Sequence, residues 1–183
     1  MGAIPTDHQL AVGMLGMHGN YGPNLLTNSC DVLIAVGMRF DDRVTGRLDR
    51  YAKQAKIIHL DIDPSEIDKN VQTTLSVWGD CKDSLQMLTP LIEQKDRKEW
   101  LHEFKTCMDK EIQKVIYPEQ NPNSEVISMG EVLKVINEIT NGEAVIVSDV
   151  GQHQMVACRY AKINHSRSNI TSGGLGTMGF ALP

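Results

Sequence analysis

"DVLIAVG", Asp31 to Gly37, is an unbroken apolar run, rich in β-branched residues and closed by a glycine. A strand with one wet face alternates polar and apolar residues. A run without alternation reads as a strand buried on both faces, as in a parallel sheet. "KIIHLDID" (Lys56 to Asp63) is a second such run and ends in acidic residues before Pro64. "EAVIVSDVG" (Glu143 to Gly151) is a third, and "SNITS" (Ser168 to Ser172) a short fourth. Helical patterns lie between them. "CKDSLQMLTPLIEQ" sets Leu85, Leu88, Leu91 and Ile92 on one face, with Pro90 predicting a kink or an early stop. "DRKEWLHEFKTCMDKEIQKVI" repeats Trp100, Leu101, Phe104, Met108, Ile112 and Val115 at amphipathic spacing. "SMGEVLKVINEITNG" opens on a capping box, Ser128 with Glu131, carries Val132, Val135, Ile136 and Ile139, and stops at Gly142. Strands alternating with helices predict an α/β fold of parallel-sheet, three-layer domains.

The stretch "YPEQNPNS" (Tyr117 to Ser124) has two prolines and a cluster of polar amides, and is the best linker candidate. It divides the chain into two α/β pieces. The C-terminal piece has two strand candidates, too few for a normal core, and the N-terminal piece looks short of a leading strand. Both ends therefore read as cuts through domains.

Composition narrows the function classes. Of 183 residues, 41% are apolar and 22% charged, and the formal net charge is -5. Lys and Arg form no basic stripe, which argues against nucleic acid as a partner. No apolar run approaches the ~18 residues of a membrane span. The opening "MGAIPTDHQL" has no signal-peptide pattern, and Pro5 and Asp7 make Met-Gly a poor lipidation signal. Cys30, Cys81, Cys107 and Cys158 stand far apart, as do the six histidines, so neither a disulfide framework nor a local zinc motif is drawn. Reduced thiols and a cytoplasmic location are the expectation.

Several motifs carry chemistry. "SGGLGTMG" (Ser172 to Gly179) contains G-x-G-x-x-G, but a dinucleotide fingerprint needs a strand before it, a helix after it and an acidic residue about twenty positions on. A glycine-lined loop that brings backbone N–H groups to a ligand fits better, with a tight packed turn as the bland alternative. "SDVGQHQM" (Ser148 to Met155) follows the third strand, where ligands sit in open α/β sheets; a helix starting at Gln152 and His153 suits a diphosphate. The alternative is that Asp149 simply caps that helix. "GMLGMHGN" (Gly13 to Asn20) looks like a loop over which a flat apolar ligand could lie, or an irregular core loop filled by methionine. "MRFDDRVTG" (Met38 to Gly46) flanks Asp41 and Asp42 with Arg39 and Arg43 at a strand end, either an anion clamp or a surface ion-pair cluster. "DIDPSEID" (Asp61 to Asp68) holds the same end of the second strand, where a carboxylate can accept ribose hydroxyls.

In this order, "GMLGMHG", "VGMRFDDRVTG", "IIHLDIDPSEI", "SDVGQHQM" and "SGGLGTMGFALP" together resemble one family, acetohydroxyacid synthase (acetolactate synthase), in its large catalytic subunit. The resemblance covers essentially the whole chain. It implies a thiamine diphosphate enzyme of three α/β domains, the middle one binding FAD. Residues 1–94 would be that middle domain without its first part, 95–124 a helix and linker, and 125–183 the opening of the thiamine diphosphate domain. By motif, Leu15, Gly16, Met17, His18, Gly19, Gly37, Met38, Arg39, Asp41, Arg43 and Val44 would line FAD, with Asp61, Ile62, Glu66, Gly79 and Asp80 near its adenosine half. Arg43 would also stand at the substrate entrance. Val150, Gly151, Gln152 and His153 match diphosphate contacts, and Gly176 and Met178 match positions meeting the aminopyrimidine ring. Ala181 departs from the family's usual glycine.

The resemblance further implies thiamine diphosphate, Mg2+ and FAD as cofactors. The reaction would condense two 2-keto acids with loss of CO2, giving 2-acetolactate or 2-aceto-2-hydroxybutyrate for branched-chain amino acids. The partners would be further catalytic subunits, with or without a small regulatory subunit. The family's G-D-G…N magnesium segment and its activating glutamate do not occur in these residues. No catalytic or metal-ligating residue is therefore assigned, and the 183 residues alone are expected to be inactive. The subfamily rests on "RFDDR", where FAD-free acetolactate synthases and glyoxylate carboligase differ. A stand-alone flavin or nucleotide module, or a related thiamine diphosphate decarboxylase, remain the other readings. The former has no use for "VGQHQM" or "GGLGTMG".

Overall fold

The computed structural model describes residues 2–182. They form two compact units: Asn24–Trp100, and a unit in which the first 23 residues join Leu101–Pro183. The elements are α1 (Tyr21–Leu26), β1 (Val32–Val36), α2 (Asp42–Thr45), β2 (Lys56–Asp61), β3 (Leu75–Trp78), α3 (Cys81–Leu88), α4 (Lys98–Glu111), α5 (Tyr117–Gln120), α6 (Met129–Thr140), β4 (Ile146–Ser148), α7 (Gln152–Tyr160) and β5 (Asn169–Thr171).

In the 24–100 unit, β1, β2 and β3 form a parallel sheet in sequence order, with Val36 beside Leu60 and Asp61 beside Trp78. The central strand β2 is buried along most of its length, and Leu60 and His59 are enclosed completely or nearly so. Phe40, Tyr51 and Ala52 complete the core, with the Phe40 and Tyr51 rings edge to face at 6.1 Å. Burying a leucine such as Leu60 stabilises by roughly 1.5–3 kcal/mol. β1 departs from the expectation of burial on both faces: Val32, Ile34 and Val36 share an exposed face, and only Ala35 is buried. The period of two explains this, since alternate residues face opposite sides and nothing among the described residues covers that side. β3 was not foreseen. Its residues are mostly exposed, as suits a short edge strand. Pro90 ends α3 as expected: the chain tightens into a 3-10 turn over Thr89–Leu91.

In the other unit, β4 and β5 pair in parallel, Val147 beside Ile170. Its core is Leu133, Ala157, Tyr160, Ala161 and Ile163, from α6, α7 and the segment after α7. α6 has the foreseen capping box, with the Ser128 hydroxyl accepting from the Glu131 N–H and the Glu131 carboxylate accepting from the Ser128 N–H. Its predicted apolar row is not the one buried. Leu133 and Gly130 face inward, while Val132, Val135 and Ile139 stay exposed. A polar residue steers this: Asn137 donates to the Tyr160 carbonyl at 2.7 Å and accepts from the Lys162 N–H at 2.8 Å, turning its own face toward the end of α7. The linker candidate is also partly helical. α4 runs through a π turn, Ile112–Ile116, into α5, and the irregular stretch begins at Asn121. Pro118 has no N–H to donate, so it interrupts the hydrogen-bond ladder inside this continuous helical run.

Candidate functional site

The C-terminal edge of the three-stranded sheet gathers one set of sequence candidates. Past the last paired residues, the Gly37 N–H donates to the Leu60 carbonyl at 2.8 Å and the Gly79 N–H to the Asp61 carbonyl at 3.0 Å. Gly37, Met38 and Arg39, Asp61 and Ile62, and Gly79 and Asp80 therefore leave three neighbouring strands at one end. In open α/β sheets that end is where ligands bind. Many of the polar groups there already have partners. Asp41 caps α2 by accepting from the Arg43 N–H, and pairs with Arg39 at 3.1 Å. Arg43 itself is exposed and reaches Asp42 only at 3.6 Å, and Val44 follows it within the same short helix. Asp80 caps α3, accepting from the Lys82 and Asp83 N–H groups. Glu66 pairs with Lys69 at 2.8 Å. The Trp78 indole donates to the Ile62 carbonyl at 3.0 Å and fixes the loop after β2. Asp61 is nearly buried, accepts from the Asp63 N–H at 2.9 Å, and has the enclosed His59 ring 3.6 Å away.

The remaining flavin candidates, Leu15, Gly16, Met17, His18 and Gly19, fall in the other unit. Their loop is closed by Asn20, whose side chain accepts from the Met14 N–H at 3.0 Å and whose N–H donates to the Met14 carbonyl at 2.7 Å. A Cβ on Gly19 would lie 2.2 Å from the Met14 carbonyl oxygen, so no larger residue fits there without moving backbone. The sequence pointed to methionines and histidine; the asparagine that closes the loop carries no motif of its own.

The same unit holds the second candidate site. α7 begins at Gln152 and His153 directly after β4, and its N-cap is Gly151, with no side-chain cap. Gly151 sits at φ 148°, and a Cβ there would meet the His153 ring at 3.1 Å. An uncapped nine-residue helix start with a bare glycine before it offers free N–H groups and a positive dipole end to an anion. The donor set fits a diphosphate. Asp149 does not cap α7, as the bland reading had it. Its carboxylate turns instead to the glycine-rich segment, accepting from the Gly179 N–H at 2.7 Å, the Phe180 N–H at 3.4 Å and the Val150 N–H at 2.9 Å. The Gly179 N–H, with smaller help from Val150 and Phe180, holds the Asp149 carboxyl below the usual carboxylate range. The segment itself folds into a turn in which the Gly176 N–H donates to the Ser172 carbonyl at 2.6 Å and the Ser172 hydroxyl to the Thr177 carbonyl at 2.9 Å. Leu175 and Met178 are exposed on it, and a Cβ on Gly174 or Gly176 would meet nothing within 4 Å.

A cavity of about 250 Å³ in this unit is lined by Met17, Met129, Gln152, Met155 and Arg159, and so brings one flavin candidate beside one diphosphate candidate. Behind it, Arg159 pairs with the buried Glu111 at 2.5 Å, and Glu111 also accepts from the Tyr21 N–H at 2.9 Å. The Tyr160 hydroxyl donates to the Glu119 carboxylate. Burial first, and that carboxylate second, push the phenol's pKa up. Among the described residues, no three His, Cys, Asp or Glu side chains gather as a metal-binding group, and no helix is long and apolar enough to cross a membrane. No residue here is assigned to a magnesium ion.

Residues 1–88 match the family described as thiamine pyrophosphate enzyme, central domain, and residues 149–183 match thiamine pyrophosphate enzyme, C-terminal TPP binding domain. Both matches are to domains of the thiamine pyrophosphate enzyme family. Acetolactate synthases are among the curated relatives. Aligned over the whole of this chain, acetolactate synthase 2, chloroplastic, of Nicotiana tabacum is 45% identical. The probable acetolactate synthase large subunit of Methanocaldococcus jannaschii is 43% identical and the isozyme 3 large subunit of Escherichia coli 38%, again over the whole chain. The chain spans 28% of the first of these and 32% of the other two.

Proposed function

We propose that this chain serves in the catalytic subunit of an acetolactate synthase, which joins two 2-keto acids with loss of CO2. Pyruvate would be the first substrate, and pyruvate or 2-ketobutyrate the second, giving 2-acetolactate or 2-aceto-2-hydroxybutyrate. The observation that carries the reading is the alignment of every residue, at 38–45% identity, with acetolactate synthases. A stand-alone flavin module would account for neither the match of residues 149–183 to a TPP binding domain nor the uncapped start of α7.

Residues 1–94 would belong to the FAD-binding middle domain, 95–124 to a helix and linker, and 125–183 to the thiamine diphosphate domain. Thiamine diphosphate, bound with Mg2+, would supply the carbanion chemistry that releases CO2 and forms the new carbon–carbon bond. The chain's own residues would bind and orient. The N–H groups at Gly151, Gln152 and His153 would hold the diphosphate at the start of α7, with Val150 beside them, and Gly176 and Met178 would meet the aminopyrimidine ring. Gly37, Met38, Arg39, Asp41, Arg43 and Val44 would hold FAD at the sheet edge, with Asp61, Ile62, Glu66, Gly79 and Asp80 toward its adenosine half. Arg43, exposed and loosely paired, would receive the anionic keto acid at the entrance. Catalytic subunits would associate with one another, with a regulatory subunit as an added partner, in the cytoplasm.

The test is product formation by the full-length protein supplied with pyruvate, thiamine diphosphate, Mg2+ and FAD. Acetolactate is expected. Acetaldehyde without acetolactate would replace this reading with a decarboxylase.

A further inference from the structure

The two segments proposed to meet thiamine diphosphate lie about 25 residues apart in the chain, one at the start of α7 and the other in the glycine-rich turn. A single carboxylate joins them. Asp149 ends the β4 segment two residues before Gly151, and its two oxygens reach the Gly179 N–H at 2.7 Å and the Phe180 N–H at 3.4 Å. A second tie runs beneath, where the Gln154 amide on α7 donates to the Thr171 hydroxyl at the end of β5 at 2.8 Å. β4 and β5 are themselves paired, Ser148 beside Thr171, so both loops emerge side by side. Beyond that pairing, Asp149 provides the contact that fixes how the far end of the glycine turn sits relative to the start of α7.

Resting on the function proposed above, we propose that Asp149 is a positioning residue that latches the glycine-rich turn to the diphosphate loop. It presets the distance between the groups that hold the two ends of thiamine diphosphate. Asp149 does not touch the cofactor in this role. It acts through Gly179 and Phe180 on Gly176 and Met178. A turn left free would have to be ordered at each binding event, and that entropy would be charged against cofactor affinity. The effect therefore falls on cofactor uptake and not on turnover once the cofactor is bound. Glycines at 173, 174, 176 and 179 leave the turn little stiffness of its own, which makes an outside tie effective.

The experiment compares full-length wild type with D149A and D149N. Four readouts are taken: the thiamine diphosphate concentration giving half-saturation in excess Mg2+, kcat at saturating cofactor, bound FAD, and the thermal midpoint without thiamine diphosphate. D149A is expected to raise half-saturation about tenfold, the scale of losing one charge-assisted hydrogen bond. kcat at saturation, FAD content and the midpoint should stay near wild type. D149N keeps one acceptor oxygen and should fall between the two. If D149A does not accumulate, D149N carries the test, with a several-fold rise expected. Unchanged half-saturation in the variants overturns the proposal. So does a loss of thiamine diphosphate affinity matched by equal losses of FAD and thermal stability, because that marks a structural role only. If wild type itself takes up no thiamine diphosphate, the functional reading fails first, and the role of Asp149 with it.

Discussion

Replacing Glu111 with alanine probes what holds α7, and so the proposed diphosphate loop, in place. Glu111 is 5% exposed and accepts two hydrogen bonds, from the Arg159 guanidinium at 2.5 Å and from the Tyr21 N–H at 2.9 Å. It thereby ties the N-terminal segment and α4 to the last turn of α7. Alanine would leave the Arg159 charge without its partner, on a side chain whose Nε already makes no hydrogen bond. Breaking a buried pair from one side costs roughly 3–5 kcal/mol. The Arg159 side chain is 25% exposed, so water recovers part of this and the expected loss lies near the lower end, about 3 kcal/mol. Glu111→Gln keeps an acceptor and should cost about 1–2 kcal/mol. Removing both charges, as in Glu111→Ala with Arg159→Met, should be milder than Glu111→Ala alone, because no orphaned guanidinium remains. Urea unfolding of the full-length protein measures all three. A Glu111→Ala loss below about 1 kcal/mol, the scale of an exposed ion pair, would refute the pair's structural weight. A double variant worse than the single one would refute the stated mechanism.

Gly19→Ala should force the backbone around Met14 apart, since its Cβ would meet backbone atoms at 2.2–2.8 Å; about 1–3 kcal/mol of stability and much of the bound flavin should be lost, and flavin retention equal to wild type would count against the loop's role. Arg39→Ala should weaken FAD binding in a fluorescence titration, and unchanged affinity would remove Arg39 from the site. Ser128→Ala deletes half of a capping box and should cost about 1 kcal/mol in thermal unfolding; no change would mean that α6 is held by its packing alone. The Asp149 carboxyl is held low by its N–H donors, so its contact with Gly179 should be complete at neutral pH and lost only as pH falls through that lowered value. The Gly179 amide chemical shift should follow this, and titration at or above the ordinary aspartate range would contradict the contact.

What could be read from the sequence was local. Ser128 and Glu131 are three residues apart and face one helix turn, so the capping box is visible in the letters. The runs around Leu33, Ile58, Val147 and Ile170 mark the strands because β-branched residues suit an extended backbone. β3 escaped because an edge strand needs no buried run, and "LSVW" sits among threonines and glycine. Burial on both faces of β1 was overread, since composition gives the propensity of a strand but not what lies over each face. Three long-range polar contacts left no trace in any local pattern: Glu111 to Arg159, Asn137 to the end of α7, and Asp149 to Gly179. Their side chains are ordinary for the positions they occupy, and only the folded chain brings the partners together. The candidate site divides the same way. The glycine and histidine motifs were legible, and the residues that set their geometry were not.

One chain is proposed to contribute to both a flavin site and a thiamine diphosphate site. The direct measurement is equilibrium binding of each cofactor to the full-length protein, with FAD followed by flavin fluorescence and thiamine diphosphate by calorimetry in the presence of Mg2+. Stoichiometric binding of both is expected, with Arg39→Ala weakening FAD alone and His153→Ala weakening thiamine diphosphate alone. Flavin binding with no uptake of thiamine diphosphate, or loss of both cofactors together in either variant, would contradict it.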